Sequence, residues 1–583
     1  MPEPYSPKLR WQSRFEAWVE RWGVSLIAWL VALMGVVNVF SALSPALHER
    51  LRLLDRFMIL EVRAGSRLAV TLAGFALLMV AVNLRRHKYA AWLLTMGLLI
   101  LSAVGHLFKG LDYEEASLAL ALAAILWWMR SRFHARSDPP SVQQGIKVLL
   151  ASALFTLLYG TVGFYLLAHH FHTRFDLLTA LEQTVQMLIQ LSPPTALPVT
   201  HFGRYFLDSI YVIAVVTLGY SLAMILRPVV IREPAAPAER ARAAAIVAAH
   251  GRTPLARLAL LPDKAYFFTP GGSVIAFTLK GRVALALGDP IGPSTDLADA
   301  VRAFQAYCAR NDWIAAFYQT LPATRDLYEA AGLSALTIGQ EALVDLSTFS
   351  LEGRANKEFR NVKNRFARLG HTATLVPPPL EASLLEALRA VSDEWLSTRG
   401  MTELRFSLGW FDEDYLRQCP VMVIRTAEGR ISAFASLILD LPPGGVSVDL
   451  MRHRRATESG TMDFLFVSLL EWAKTAGYTV FDLGLSALVG VGEHSDDPAI
   501  ERAMRYLYHS LTRFYNYQGL HAFKAKFHPR WEPRYLMYPQ PLTLPAVALA
   551  IVQAHVGTWR ALLPEWRRPP GPASTPATEE PSS

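Results

Sequence analysis

Cysteine is nearly missing: the 583 residues hold two, Cys308 and Cys419. That is too few for a disulfide framework, and no Cys/His cluster has the ligand spacing of a zinc site. Charge is scarce as well. Only 18% of residues are charged while 52% are hydrophobic, and mean hydropathy is +0.23. This excludes a disordered chain and falls short of the roughly 25% charge usual in soluble domains. No G-x-G-x-x-G follows a strand-like run, and Gly490-Val491-Gly492 lacks a third glycine, so a dinucleotide fold is not expected. What the chain has in surplus is apolar residues and a formal net charge of +8. Length allows about three or four domains. One part is expected in lipid and another as a cytosolic, metal-free domain.

Uncharged apolar runs lie at Gly23–Leu43, Leu68–Leu84, Ala90–Phe108, Ala116–Met129, Val148–Ala168 and Ser209–Leu226. Most approach the ~20 residues that a bilayer requires, which predicts six spans in residues 1–230. The fourth run is short enough to be a re-entrant or buried helix instead. The first is too long for the apolar core of a secretory signal, and no small-residue cleavage pattern follows it. Lys8, Arg10, Arg14, Arg21, Arg85, Arg86, Lys88, Arg130, Arg132 and Arg136 share one side if the N-terminus is cytoplasmic. Residues 44–67, with Arg50, Arg52, Arg56, Arg63 and Arg67, dissent and read as an interfacial helix. Six spans then place everything after Leu226 in the cytoplasm. Phe175–Leu191 suits a helix lying on the membrane surface. His169, His170 and His172 precede it with no carboxylate or Cys in register, so membrane-edge histidines are the simpler reading than a metal site. Intramembrane acids are scarce, Asp208 at a span edge being the one candidate, which argues against transport by this part alone.

Residues 227–240 contain three prolines and read as a linker. Beyond it, strand-like runs Ser273–Leu279 and Arg282–Leu287 flank a Lys280-Gly281 turn, and Val421–Thr426 and Arg430–Leu439 flank one at Glu428-Gly429. Helical periodicity marks Ala300–Asn311, Leu384–Thr398 and Met462–Ala476. The order is mixed α/β with hairpins. The Pro-, Ser- and Thr-rich tail, residues 568–583, reads as disordered.

Four strings in this half carry a resemblance: LGDPIGP (Leu287–Pro293), GRANKEFRNVKNRFARLG (Gly353–Gly370), VDLMRHRRATESGTMDFLF (Val448–Phe466) and FYNYQGLHAFKAKFHPRWEPRYL (Phe514–Leu536). They are similar to the cytoplasmic synthase domain of the phosphatidylglycerol lysyltransferase (aminoacyl-phosphatidylglycerol synthase) family. LRRHKYAAWLL and HLFKGLDYEEA resemble the last spans before that domain. Family members often carry about eight further N-terminal helices assigned to lipid flipping, which this sequence does not show. The resemblance implies a helical membrane domain followed by two tandem acetyltransferase-like folds, residues 231–350 and 351–545, with the catalytic site in the second. It implies transfer of an aminoacyl group, lysyl first, from aminoacyl-tRNA to a phosphatidylglycerol hydroxyl at a bacterial inner membrane. No cofactor is expected beyond the aminoacyl-tRNA co-substrate. Lowered membrane charge would weaken attraction of cationic antimicrobial peptides. Oligomeric state is left open, a homo-oligomer included.

Asp449 and Arg452 match the family's D-x-x-R pair, implied to hold the aminoacyl group; a structural ion pair is the alternative. Lys524, implied to neutralise a phosphate or oxyanion, stands two residues from Lys526: a strand would put both on one side and a helix would separate them. Arg354, Lys357, Arg360, Lys363, Arg365 and Arg368 form either a solvated helix face or a surface for tRNA or headgroup phosphates. Glu394 and Glu403 are candidates for the donor's amino group, and Tyr515, Asn516 and Trp531 for pocket lining. Where relatives commonly read K-x-G-E-E-A, this chain has Thr337-Ile338-Gly339-Gln340-Glu341-Ala342. That retains Glu341 as a binding candidate but leaves the amino acid open. The rival readings are an acyl-CoA-dependent acyltransferase, for which Arg455–Met462 lacks a pyrophosphate loop, and a lipid transporter without transferase activity.

Overall fold

The computed structural model describes residues 22–38, 41, 60–110, 112–133, 135, 139–166, 176–190, 201–227, 235–354, 356–399, 403–487 and 517–556. The expectations at His169–His172, Gly490–Gly492, Tyr515, Asn516 and the tail lie outside these residues. The chain forms two compact units, Met1–Val230 with Ala309–Trp313, and Ile231–Cys308 with Ile314–Ser583.

The first unit is helical: α1 Trp22–Asn38, α2 Leu60–Leu84, α3 Tyr89–Gly110, α4 Tyr113–Trp128, α5 Pro139–Leu166, α6 Leu177–Gln190 and α7 His201–Ile225. Each of the six apolar runs falls on a helix. Among the described residues two stretches, Tyr89–Phe108 and Ile146–Leu166, are long and apolar enough to cross a membrane; Trp22–Asn38, Ala73–Leu84 and Val215–Ile225 are shorter. Val31, Leu77, Leu99 and Leu126 share an inner core, while Leu93 and Ile100 of α3 and Leu150 and Leu154 of α5 are exposed. Helix α6 appears where an amphipathic helix is expected. It packs on α5 at Gly160, where an added Cβ would lie 2.4 Å from Thr184 Cγ2.

The second unit includes α8, Pro237–His250, which corrects the linker reading at Pro237–Arg240. Pro237 occupies the first helical turn, where its missing N–H costs nothing, and Glu239 accepts the Ala236 N–H at 3.0 Å. There follow α9 Pro254–Leu258, β1 Ala265–Phe268, β2 Val274–Lys280, β3 Val283–Leu287, α10 Leu297–Arg310, β4 Ile314–Thr320, α11 Arg325–Ala330 and β5 Ser334–Asp345. The second half contributes α12 Lys357–Arg368, β6 Thr372–Val376, α13 Ala382–Arg399, α14 Glu413–Arg417, β7 Val421–Arg425, β8 Ile431–Leu439, β9 Gly445–His453, α15 Thr461–Thr475, β10 Val480–Ala487, α16 Tyr517–Ala525, β11 Arg530–Tyr538 and α17 Leu544–Val556.

All eleven strands form one sheet, in the order β1-β2-β3-β4-β11-β5-β10-β9-β8-β7-β6. Each half repeats one plan: an antiparallel meander, a helix (α10 or α15), then a strand parallel to the one before it, β3 with β4 and β9 with β10. This is the expected acetyltransferase-like plan, twice. The halves then exchange their final strands. Strand β5 of the first pairs with β10 of the second, and β11 of the second enters between β4 and β5. Helix α17 returns to the first half and packs on β2 and β3. The halves are therefore interleaved rather than separable at residue 350.

In the second half both sheet faces are covered, and residues alternate between them as a pleat requires. On β7, Met422 and Ile424 join the core under α12 and α15, whereas Val421 and Val423 join the core under α13 and α14.

Candidate active site

Residues three apart on a regular strand face opposite sides, so Asp449 and Arg452 should diverge. A β-bulge prevents this. Ala435 pairs with Met451 and Leu437 with Val448, so Ser436 alone faces both Asp449 and Leu450. The Ser436 hydroxyl accepts the Leu450 N–H at 3.0 Å. Val446 and Val448 accordingly join the α12/α15 core, but Leu450 joins the α13/α14 core. The phase shift brings Asp449 and Arg452 to the same side.

There Asp449 is clasped from two directions. Its Oδ1 accepts the Gly409 N–H at 2.9 Å and its Oδ2 the Tyr415 hydroxyl at 2.8 Å. Burial pushes its pKa up, opposed by those two hydrogen bonds and by the charges of Arg452 and Arg257. The Tyr415 phenol is held well above its ordinary range, by burial first and then by the adjacent carboxylate. Arg452 does not bond to Asp449. Its Nη2 meets Glu403 Oε2 at 2.9 Å and its guanidinium lies 4.1 Å from the Trp395 ring centroid, a cation–π geometry. Glu403 also accepts the Phe411 N–H at 3.2 Å, so it fastens the 403–411 loop over the strand. Glu394 accepts the Arg455 N–H at 2.7 Å and meets Arg454 at 2.6 Å; the first of these bonds leads in holding its pKa low. As placed, Glu403 and Glu394 position the end of β9, and their carboxylates are engaged by the protein.

The second constellation lies where β9 and β10 part. Their parallel ladder runs only from Gly445/Val480 to Ser447/Asp482. Strand β10 then bulges at Leu483–Gly484, and Gly484 takes φ +82°, a conformation that favours glycine. The Gly484 and Leu485 carbonyls accept from Lys524 Nζ at 2.9 and 3.0 Å. Lys524 is buried, and burial pushes its amine down, against the opposing charge of Asp482. Burial pushes the Asp482 carboxyl up, although Gly484 N–H and Ser447 Oγ donate to it at 2.7 and 3.3 Å. A carboxyl with a raised pKa, a desolvated amine and the parting of two strands thus coincide. Asp449 and Lys524 do not touch; they serve two parts of the second half. In the first half the equivalent wedge is shut, since β3 and β4 stay paired through Leu287/Tyr318 and Gly288 N–H continues to Tyr318 O at 2.8 Å.

Other candidates fall elsewhere. The chain around Lys524 is helical, so Lys526 diverges from it as a helix dictates. Lys526 is exposed and meets Asp463 at 3.0 Å and Glu358 at 3.8 Å, a surface bridge between helices. Glu341 pairs across the sheet with Glu532, and Arg534 bridges the two carboxylates. In the structure Glu341 thus sits in a buried ion pair that relieves like-charge repulsion. On α12, Lys363 meets Glu471 at 2.7 Å, Arg365 approaches Glu458 at 4.0 Å, and Arg360 donates to the Leu351 and Gly353 carbonyls. These three serve the fold, whereas Arg354, Lys357 and Arg368 project outward. Trp531 stacks near His521 with centroids 4.4 Å apart.

Sequence reasoning missed Gly409, Tyr415, Trp395 and Asp482. Only Asp482 left a signal: it is a lone acid inside the apolar run Val480–Leu485, where a charge is costly unless it finds a partner.

Residues 244–538 match the family described as phosphatidylglycerol lysyltransferase, C-terminal. The chain is 29% identical over 488 residues to the phosphatidylglycerol lysyltransferase of Bacillus subtilis, covering 83% of this chain and 54% of the relative. It thus spans about half the length of that relative. The structure of L-PGS from Bacillus licheniformis is 33% identical, with a TM-score of 0.51, covering 56% of this chain and 98% of that one. A C-terminal DUF2156 domain from Agrobacterium fabrum is 35% identical, with a TM-score of 0.50, covering 55% and 98%. With more than half of its residues matched and the same fold in both solved relatives, this chain belongs to the phosphatidylglycerol lysyltransferase family by its C-terminal domain.

Proposed function

We propose that this chain transfers an aminoacyl group from aminoacyl-tRNA to the glycerol hydroxyl of phosphatidylglycerol. The observation that carries the reading is the parting of β9 and β10 beyond Ser447/Asp482, where their counterparts β3 and β4 stay paired, with Lys524 at its edge and the Asp449/Arg452 face on β9 beside it. In the reaction the lipid hydroxyl oxygen bonds to the donor carbonyl carbon, the ester bond to the tRNA breaks, and the hydroxyl proton passes to the departing ribose oxygen. The donor is already activated, so the protein's work is placement and charge stabilisation. Asp449, fixed by Tyr415 and Gly409, holds the donor's ammonium, and Arg452 orders that wall. Lys524 neutralises the developing oxyanion or the lipid phosphate.

Lysyl is the favoured group because the relatives named above are lysyltransferases, with Thr337 and Gln340 as the departures that leave this open. The helical unit embeds the chain as a multi-pass protein of the bacterial inner membrane, with the second unit cytoplasmic, and the product lowers surface charge and resists cationic antimicrobial peptides. RNA contact is electrostatic. The test is lipid mass spectrometry in a bacterium lacking aminoacylated lipids, expressing the chain or its Asp449→Ala variant. A phosphatidylglycerol species heavier by one aminoacyl unit, absent in the variant, supports the reading and identifies the amino acid. Equal product from the variant removes Asp449 from the mechanism, and no product from either removes the reaction.

A further inference from the structure

From the helical unit we infer a divalent-cation site formed by His106, Asp112 and Glu115. One donor atom from each lies within 4.8 Å of the others. The turn between α3 and α4 creates the cluster: the Asp112 N–H donates to the His106 carbonyl at 3.2 Å, and Glu115 lies three residues on, on the same helical face. Acids in the first turn of a helix usually complement its dipole. Asp112 stands at the cap position of α4 without a side-chain capping hydrogen bond, and its carboxylate lies in the cluster with His106 and Glu115.

The surroundings prepare the imidazole as a ligand. The Asn38 carboxamide oxygen accepts from Ser102 Oγ at 2.9 Å and from His106 Nε2 at 3.0 Å. Because that oxygen only accepts, the imidazole proton sits on Nε2 and the lone pair on Nδ1. A buried carbonyl oxygen that fixes the ligating tautomer is the usual support of a metal-bound histidine. His106, Asn38 and Ser102 are all fully buried, so this support is rigid, while the two carboxylates are half-buried. One imidazole and two carboxylates suit Zn²⁺ or Mn²⁺ rather than Mg²⁺ or Cu⁺. The ion ties α3 to α4 and, through Asn38, to α1. The spacing His-x5-Asp-x2-Glu spans a helix break, and is therefore no familiar motif in the sequence.

The test uses the full chain purified in detergent, stripped with a chelator, reloaded with Zn²⁺ or Mn²⁺ and desalted. Metal analysis is expected to give about one ion per chain, with a Tm that rises on loading and falls on chelation. Asp112→Asn/Glu115→Gln, nearly isosteric, is expected to lose both. Asn38→Ser, which leaves all three ligands in place, is expected to weaken binding about 10- to 100-fold. Wild-type protein that retains neither ion overturns the site even if a variant fails to fold. So does an Asp112→Asn/Glu115→Gln variant that binds as much as wild type.

Discussion

Gly409 is pressed against the carboxylate of Asp449: its N–H donates to Oδ1 at 2.9 Å, and a Cβ built on it would lie 2.2 Å from Oδ2. Any side chain there must displace either the loop or the acid. Gly409→Ala is therefore expected to cost about 1–3 kcal/mol of stability by overpacking and to lower product formation at least ~10-fold. Because both changes act on one carboxylate, Gly409→Ala added to Asp449→Asn should cost little more activity than Asp449→Asn alone. Product by lipid mass spectrometry, with a thermal melt on each variant, checks this. Full additivity would separate the glycine from the acid.

The buried pair at the wedge predicts opposite pH limbs of stability. Asp482 has a raised pKa. Between its ordinary value of 3.8 and the raised one, the folded chain keeps a proton that the unfolded chain has released, so stability falls as pH rises. Lys524 has a lowered pKa. Between the lowered value and its ordinary 10.5, the unfolded chain keeps the proton, so stability rises with pH. Denaturation across pH should show the first limb lost in Asp482→Asn and the second in Lys524→Met. If the charged amine is the working form, wild-type product formation also declines at a pH well below that of an ordinary lysine. A rate that holds up to pH 10 would assign Lys524 to structure.

The Glu403–Arg452–Trp395 clamp predicts a graded series. Glu403→Gln leaves the Phe411 N–H an acceptor but removes the charge, and it should cost more activity than stability. Trp395→Leu removes a cation–π contact worth about 1–2 kcal/mol along with packing, so both readouts should fall. Identical losses of activity and Tm in the two variants would deny Arg452 any role beyond the fold.

The two hairpins, the helices between them and the six apolar runs could be read locally, because turn glycines and periodicity are short-range signals. The positive φ of Gly281 and Gly429 is what those turns require. The exchange of β5 and β11 could not be read so, because Glu341 meets Glu532 and Arg534 only through pairing nearly 200 residues apart. The site divides the same way. Asp449, Arg452 and Lys524 were visible through resemblance. The bulge that turns Asp449 and Arg452 to one face depends on Ser436 of a neighbouring strand, and Gly409 and Tyr415 come from an aperiodic loop and a five-residue helix. Within the basic run, composition cannot tell a lysine paired with Glu471 from one facing solvent alone.

That last distinction gives a direct test of the basic helix. Lys363 is half-exposed and already paired with Glu471, so Lys363→Ala should change stability by under about 1 kcal/mol and leave donor binding nearly intact. Arg354, Lys357 and Arg368 face solvent. If they contact the RNA donor, each neutralised residue removes roughly one phosphate contact. The apparent donor KM should then rise, and the slope of its logarithm against log salt should shrink by about 0.7–0.9 per residue. The lipid acceptor's KM should stay put. A donor KM insensitive to all three, with Lys363→Ala as sensitive as the rest, would mean that this face is solvated and that the RNA is held elsewhere.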